Sequence, residues 1–219
     1  MLLNKAKLNY ISNRLIFERQ QLIDLLPEKF KKQFEQLAYI AGGCIYSLYQ
    51  SQEPKDYDFF LMDESFVKDL RRHFLEEESG YHGKDISGGT YHGYPLTITE
   101  NAISIGRYQI ITRWIGQPEE VVKEFDFKHL QFYCAGNEIE TVTQFDFLDS
   151  KELKYNEDRA RDICGSVFRS NKFVSRGMKI SQKEMAKMLL RLKNVGFSEK
   201  EVETLIACKD KTETDHFGS

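Results

Sequence analysis

Two glycines after an apolar run, followed by two aspartates one residue apart, most constrain what this chain can fold into. The run LAYIA (37–41) has the length of a short buried strand and ends at Gly42-Gly43. The next residues, CIYSLYQS (44–51), have the pattern of the first turns of a helix. Thirteen residues after Gly43, Asp56 opens the stretch DYDFFLM, in which polar and apolar residues alternate. A strand, a glycine turn, a helix and an acidic strand in this order predict a mixed α/β domain.

The spacing of Asp56 and Asp58 puts both carboxylates on one face of a strand, because residues i and i+2 point the same way. Acids within an apolar strand are costly to bury unless something pairs with them, and a divalent cation is a sufficient partner. Mg2+ takes oxygen ligands and bridges substrate phosphates. Glycines before a helix let the backbone approach a phosphate. Either half alone is weak, since D-x-D is common by chance and Gly-Gly can be a plain turn, but together they predict a metal-dependent nucleotide site.

The remaining pattern divides the chain into three parts. Residues 1–37 are predicted to be helical, with a break at Pro27, and residues 151–219 are predicted to form a small helical domain. Between them, 38–150 is predicted to hold the catalytic domain. Its expected later elements are a helix over 64–77, a Gly- and His-rich loop over 78–93, two β-rich runs over 95–115, a short helix from Pro118 and a hairpin around Gly136-Asn137. The predicted fold class is therefore α/β (α+β), with a mixed sheet followed by helices.

Cysteine spacing and hydropathy bear on the cellular compartment of the protein. The four cysteines have no C-x-x-C spacing, which argues against a structural zinc site and against a secreted disulfide scaffold. No apolar run approaches the length of a membrane span, and the first residues lack an apolar signal segment. A cytoplasmic protein without a membrane partner is the expectation.

Charge is distributed unevenly. From Arg159 to Lys193 the chain has ten Lys or Arg residues and two acids, Asp162 and Glu184. Such a segment can face the phosphates of a nucleic acid, or it can be the solvated face of a helical pair. Charge alone leaves the two interpretations equally open.

Four stretches together resemble the DNA polymerase beta-like nucleotidyltransferase superfamily, above all the head of CCA-adding tRNA nucleotidyltransferases and bacterial poly(A) polymerases. The first, YIAGGCIYSLYQSQEPKDYDFFL, resembles the opening Gly-Gly helix and the metal-binding D-x-D strand of that branch. The other three follow in the same order as in the branch: RYQIITRW, EFDFKHLQFYCAGNEI and FRSNKFVSRGMKIS. The arrangement of the motifs also resembles that in small nucleotidyltransferase-like proteins of bacteriophages.

The resemblance implies a fold, an activity and a set of residues. The activity would be two-metal transfer of a nucleotide from an NTP to an acceptor hydroxyl, with Mg2+ or Mn2+ and with release of pyrophosphate. Asp56 and Asp58 would be the metal ligands and, with Asp126, the catalytic acids. Residues near the nucleotide would be Gly42, Gly43, Ser47, Arg113, Arg169 and Lys172.

The chain also departs from the branch. Tyr46-Ser47 stands where CCA-adding enzymes have an Arg-Asp pair, and Gln109 occupies the strand position where a third acid is expected. A third carboxylate would have to come from Glu100 or Asp126, or it is missing. The element that selects CTP and ATP in those enzymes is not visible, so the choice of NTP does not carry over.

Three functions remain open at this stage. The first is a nucleotidyltransferase that acts on an RNA 3′ end, most simply a tRNA-like one. The second is a transferase that modifies a protein or a small molecule. The third is an inactive module that binds a nucleotide or nucleic acid, which Gln109 favours and the retention of both Asp56 and Asp58 opposes. The sequence leaves the NTP, the oligomeric state and the role of the N-terminal helix open.

Overall fold

The computed structural model describes residues 2–78, 86–158 and 163–209. The eight α-helices of this part are α1 Leu2–Leu25, α2 Glu28–Leu37, α3 Gly43–Tyr49, α4 Glu64–His73, α5 Pro118–Lys123, α6 Ile163–Ser175, α7 Gln182–Val195 and α8 Glu199–Lys209. The eight strands are β1 Ala38–Ala41, β2 Tyr57–Leu61, β3 Ile86–Tyr91, β4 Tyr94–Ile98, β5 Ala102–Ile105, β6 Tyr108–Ile115, β7 Phe132–Cys134 and β8 Glu140–Thr141. The predicted fold class, a mixed sheet followed by helices, is confirmed.

All eight strands form one sheet in the order β3-β4-β5-β6-β2-β1-β7-β8. Strands β2 and β6 run parallel, and the other neighbouring pairs run antiparallel. The acidic strand β2 therefore lies in the middle of the sheet, between β1 and β6. This position holds its backbone on both sides through ladder hydrogen bonds.

One face of the sheet is covered by helices and is called the covered face here. Phe34 of α2 packs against Phe59 of β2, with ring centroids 5.9 Å apart, and Phe30 packs against Phe66 of α4 at 6.0 Å. Alternate residues of the central strands point into this layer and are buried: Tyr57, Phe59, Leu96, Ile98, Ile103, Ile105, Tyr108 and Ile110. Because strand side chains alternate between faces, the residues between them point to the opposite face, called the open face.

Helix α1 crosses the covered face from β3 to β7. Its C-terminal carbonyl, that of Leu25, accepts a hydrogen bond of 2.8 Å from Tyr91 Oη of β3. Arg19 Nη2 donates to the Cys134 carbonyl of β7 at 2.7 Å, and Ser12 Oγ donates to the carbonyl of Asn137 beyond it. The buried residues Ile11, Leu15 and Leu22 recur at helical spacing, as expected for a helix packed on a sheet. The predicted helices of 1–37, with their break at Pro27, are confirmed as α1 and α2.

Two predicted elements were wrong. Part of the loop expected over 78–93 is strand β3, whose pairing with β4 overrides the low strand preference of its Ser-Gly-Gly stretch; residues 79–85 lie outside the described part. The two β-rich runs expected over 95–115 are three strands, because Glu100-Asn101 and Gly106-Arg107, which were alternatives for one junction, are both turns. The hairpin around Gly136-Asn137 is confirmed as β7 and β8.

The chain divides into two compact units. The first comprises residues 1–123 and 130–148 and holds the sheet; the second comprises 124–129 and 149–219 and holds α6 to α8. Helices α1 and α2 thus belong to the first unit, and 124–129 joins the helical part. None of the described helices combines the length and the apolar character that crossing a bilayer requires.

Candidate functional site

The turn from β1 into α3 is built on Gly42. Its backbone has φ 87° and ψ −136°, a conformation open essentially only to glycine, and its N–H donates to the Phe132 carbonyl of β7 at 3.0 Å. Helix α3 begins at Gly43, where an added Cβ would have no atom within 4 Å. Neither a positive φ nor packing therefore requires a glycine at position 43. The space in front of it is available to a ligand.

Ser47 lies one helical turn after Gly43. Residues four apart in a helix share a face, and Gly43 and Ser47 are both partly accessible. The other residues of α3 are buried: Cys44, Ile45, Tyr46, Leu48 and Tyr49. The structure thus places the predicted Gly43 and Ser47 on one accessible strip of a short helix that is otherwise buried.

Of the two predicted acids, Asp58 lies within β2, whereas Asp56 lies just before it. The expectation that both stand on the strand was therefore wrong for Asp56. Asp56 and Asp58 are partly accessible, while Tyr57 and Phe59 are buried, so the expected alternation holds for these four residues. It fails at Phe60, which is buried because it stacks on Tyr39 with ring centroids 5.6 Å apart.

Gln109 is the direct neighbour of Asp58 in the parallel pair β2–β6. The same row continues through Ser104 of β5 to Thr97 of β4. All four residues are partly accessible, and the next row, which includes Phe59 and Ile110, is buried. The open face therefore carries one carboxylate, one carboxamide and two hydroxyls side by side. The sequence interpretation missed Ser104 and Thr97, which alternation within β4 and β5 could have indicated.

The glycine turn and the acidic strand meet near Cys44. Burial raises the pKa of the Cys44 thiol, the negative charge of Asp58 raises it further, and the Asp58 backbone N–H lies within hydrogen-bonding reach of the sulfur. The start of α3 and Asp58 are therefore direct neighbours. A thiol in this state is uncharged at neutral pH and acts as a small buried side chain.

Asp56 and Asp58 suit a divalent cation that also binds phosphate oxygens, because Mg2+ needs only one or two protein carboxylates when a substrate supplies the rest. Among the described residues no group of three or more His, Cys, Asp or Glu side chains could hold a metal ion.

Of two further residues, Arg113 lies on β6 and Glu100 lies in a turn that contacts β6. Arg113 is exposed, in a stretch where the β2–β6 register shifts between Phe59 and Leu61. Glu100, one of the two candidates for a third carboxylate, lies in the turn between β4 and β5, and its carbonyl accepts a hydrogen bond of 3.1 Å from Thr112 Oγ1. The Glu100 side chain is therefore at a turn, three residues along β6 from the row that holds Gln109.

The remaining predicted residues belong to the second unit. Asp126 is 3% exposed, and its carboxylate accepts a hydrogen bond from Arg169 Nε of α6. Lys172 is one turn further along the same helix and partly accessible. The structure thus brings Asp126 and Arg169 together as an ion pair, which a buried carboxylate requires. It also buries His129 between the rings of Phe127 and Phe173, at 5.9 and 4.6 Å, and this burial lowers the pKa of His129 to about 3.

Solved structures of CCA-adding enzymes resemble this chain in fold. The chain resembles a CCA-adding enzyme in complex with ATP, with 14% identity and a TM-score of 0.52 over 87% of this chain and 48% of that one. It also resembles a CCA-adding enzyme in complex with CTP, with 14% identity and a TM-score of 0.50 over 88% and 48%. The CCA-adding enzyme of Thermotoga maritima bound to tRNA matches with 14% identity and a TM-score of 0.48 over 83% and 45%. The chain spans about half the length of these structures. The chain shares the fold of the corresponding part of these CCA-adding enzymes.

Comparison by sequence assigns the family. No curated protein matches the chain. A family model described as "Gabija anti-defense 2 family protein" matches residues 16–154, which is well over half of the 219 residues. The matched range includes the glycine turn, the acidic strand and the whole sheet. The chain belongs to the Gabija anti-defense 2 family.

Proposed function

We propose that this chain is a metal-dependent nucleotidyltransferase, which moves a nucleotide from an NTP to an acceptor hydroxyl. One observation carries the proposal: the acidic strand β2 lies next to β1, which leads into a glycine turn with open space at Gly43. A triphosphate needs a backbone without side chains to approach, and a cation needs carboxylates close by. Both requirements are met by neighbouring strands of one sheet.

In the proposed reaction, Asp56 and Asp58 would hold Mg2+, which would neutralise phosphate charge when bound. Gly43 admits the phosphates because it has no side chain, and Ser47 donates a hydrogen bond to a phosphate oxygen. The acceptor oxygen forms a bond to the α-phosphorus, the bond from that phosphorus to the bridging oxygen breaks, and pyrophosphate leaves with the electron pair. Gln109, beside Asp58, can orient the acceptor hydroxyl but cannot take its proton, which therefore passes to water.

The acceptor we propose is an RNA 3′ end. Arg176, Lys179 and Lys183 support this choice, because these cations are exposed at the turn between α6 and α7, where phosphates could reach them. Arg113 is a further exposed cation on the sheet. The proposed roles of Arg169 and Lys172 at the nucleotide, and that of Asp126 as a third carboxylate, require these residues to face the substrate. Asp126 and Arg169 form an ion pair with each other, so a structural role is the competing explanation for these two residues.

A second candidate acceptor is a protein. The family description supports it, since an anti-defense protein needs a target in the defense that it opposes. Modification of a Gabija component would meet that need. An inactive binding module is the third alternative and would use the same nucleotide site without transfer.

The test uses each labelled NTP with Mg2+, total RNA and, in a parallel reaction, purified Gabija proteins. Wild-type protein is compared with Asp56→Asn and Asp58→Asn. Asp69→Asn serves as a matched control, because Asp69 is an exposed aspartate that forms an ion pair with the exposed Arg72. We expect label in RNA with the wild type and the control but with neither site variant, and unchanged thermal unfolding in all four. Label in protein bands would favour the second acceptor. Transfer that survives in the Asp56→Asn/Asp58→Asn double variant would overturn the metal assignment.

The role in defense needs its own measurement. Cells that carry Gabija are challenged with phage in the presence of wild type, Asp58→Asn or Asp69→Asn protein at equal levels. If nucleotide transfer is the means of anti-defense, the Asp58→Asn protein no longer protects the phage from Gabija, whereas the Asp69→Asn protein still does. Full protection by Asp58→Asn would show that binding alone is enough.

A further inference from the structure

A cluster of two arginines and two glutamates lies at the start of the acidic strand β2, where Arg107 contacts Tyr57. Glu18 of α1 is 2% exposed and accepts hydrogen bonds from Arg14 Nε at 2.8 Å and Arg107 Nη2 at 3.4 Å. Tyr108 Oη donates to the same carboxylate at 2.9 Å. Glu53 accepts from Arg14 Nη2 at 2.8 Å and from Arg107 Nη2 at 2.6 Å. A carboxylate as deeply buried as Glu18 is tolerated only with such partners, so the cluster has little freedom to rearrange.

Arg107 connects this cluster to the start of β2 in two ways. Its carbonyl accepts a hydrogen bond of 2.9 Å from the Tyr57 N–H, and its guanidinium carbon lies 4.6 Å from the centre of the Tyr57 ring. Burial alone would lower the pKa of Arg107, but its hydrogen bond to Glu53 and the charge of Glu18 outweigh burial and raise it. Arg107 is therefore a permanent cation, fixed over the residue that separates the two acids.

Asp56 is the acid that needs this support. Asp58 lies within β2, where it pairs with Gln109 of β6, whereas Asp56 precedes the strand. The segment that leads to Asp56 contains Glu53, three residues earlier, which Arg14 and Arg107 bind. The residue after Asp56 is Tyr57, which Arg107 also contacts. Asp56 thus lies between two attachments that share one guanidinium.

We propose that Arg107 is a positioning residue for Asp56, and that α1 serves the site by supplying Glu18 and Arg14 to fix Arg107. This inference rests on the proposed function for the role of Asp56 as a metal ligand. It explains why α1 carries a buried carboxylate across from the acidic strand. It also gives the β5–β6 turn, which contains Arg107, a part in the site although none of its side chains needs to touch a substrate.

The test compares Arg107→Ala and Arg107→Lys with Arg72→Ala, which removes an exposed arginine that pairs with Asp69. Backbone hydrogen exchange is measured for peptides that cover 50–58, and Mn2+ binding is measured by electron paramagnetic resonance on the full chain. We expect Arg107→Ala to speed exchange over 50–58 by about tenfold, because Glu53 loses its bond to Arg107 and Tyr57 loses the guanidinium over its ring, while the bond of Glu53 to Arg14 remains. Loss of a group that orients a metal ligand typically weakens metal affinity by about tenfold or more, and we expect this for Mn2+. Arg107→Lys should recover part of both, since it keeps the charge without the planar fork.

Unchanged exchange over 50–58 in Arg107→Ala would overturn the inference, and so would faster exchange with unchanged Mn2+ affinity. If Arg107→Ala fails to fold, Glu53→Gln tests the same point, because it removes only the exposed end of the cluster and should change both quantities in the same direction. A wild type that binds Mn2+ no better than the Asp56→Asn/Asp58→Asn double variant would overturn the proposed function instead. In that case the exchange measurement still decides whether Arg107 holds the segment.

Discussion

Gln109 pairs with Asp58 across β2 and β6, so the residue beside the strand carboxylate is a neutral amide. An amide oxygen can accept a hydrogen bond or bind a cation, but it carries no charge and takes up no proton at neutral pH. The open face therefore places one carboxylate beside one neutral amide. The properties of the site should change when the amide is replaced by a second carboxylate.

Gln109→Glu should strengthen Mn2+ binding at neutral pH by about tenfold, which corresponds to about 1.4 kcal/mol. The gain should disappear as the pH falls through the range in which a glutamate protonates. Mn2+ titration at several pH values measures both effects. Thr97→Glu is the matched control, since Thr97 lies in the same row two strands further away. An equal gain from both variants would mean that general charge, and not a position beside Asp58, is responsible.

Gly42 and Gly43 should respond differently to alanine. Gly42→Ala should destabilise the protein by about 1–3 kcal/mol, because φ 87° with ψ −136° strains a residue that has a Cβ. Gly43→Ala should leave stability unchanged or raise it by about 0.5–1 kcal/mol, because alanine suits a helix better and the added methyl meets no atom. It should nevertheless weaken NTP binding, because the methyl group occupies the space proposed for phosphate. Chemical denaturation and NTP titration of both variants check this; a Gly43→Ala variant that binds NTP normally would contradict the phosphate role.

His129 should make the second unit sensitive to acid. Its pKa is about 3 in the folded protein, against an ordinary value near 6.5, so between these values the unfolded chain binds a proton that the folded chain does not. The stability that neutral His129 contributes is fully present above about pH 6.5 and falls by roughly 1.4 kcal/mol per pH unit towards pH 3. The difference in unfolding free energy between wild type and His129→Leu, followed from pH 7 to pH 4, isolates this effect. A difference that is independent of pH would show that His129 does not titrate in this way.

The basic surface offers a test of the RNA acceptor. Replacing Arg176, Lys179 and Lys183 with glutamine should weaken tRNA binding and reduce the dependence of log affinity on log salt by about 2, since each lost phosphate contact removes about 0.7. Fluorescence anisotropy over a range of salt concentrations measures both. The control is the Lys32/Lys68/Arg72 triple glutamine variant, which removes the same charge from α2 and α4. Equal losses in the two triple variants would indicate unspecific attraction.

Arg169 and Lys172 should behave differently from each other. Arg169→Gln removes a cation paired with the buried Asp126 carboxylate, so it should lower the unfolding free energy by about 1–3 kcal/mol. Lys172→Gln should weaken substrate binding in a salt-dependent way without this loss of stability. Denaturation and binding of the two single variants separate the effects. A Lys172→Gln variant with unchanged affinity at low salt would show that this residue is solvated.

The sequence predicted those parts of the fold that depend on neighbouring residues. Apolar spacing indicated α1 and α2, and the glycine pair indicated the turn before α3, because both signals act within a few residues. Strand β3 was not predicted, since its Ser-Gly-Gly stretch forms a strand through pairing with β4, which is not a local signal. The position of Asp56 before the strand was not predicted either. The alternation of polar and apolar residues begins one residue before the strand does, so it does not mark where the strand starts.

The site divides in the same way. Asp58, Gly43 and Gln109 could be singled out because they belong to local motifs. The cluster of Glu18, Glu53 and Arg107 could not, because its members are 35 and 54 residues apart in sequence and no pattern joins them. The pairing of Asp126 with Arg169, 43 residues later, required the fold in the same way.

The path of α1 has a consequence for the order in which the protein can be made. Its partners come late, since Ser12 bonds to Asn137, 125 residues further along, and Arg19 to Cys134, 115 residues away. At a synthesis rate of about 5–20 residues per second, the ribosome takes roughly 6–25 s to add those 125 residues. During this interval α1 lacks the carbonyl partners at Cys134 and Asn137, and its buried residues Ile11, Leu15 and Leu22 wait for the later parts of the fold. Helix α1 thus precedes its partners by more than a hundred residues, and the nascent chain keeps these apolar side chains uncovered until the sheet closes.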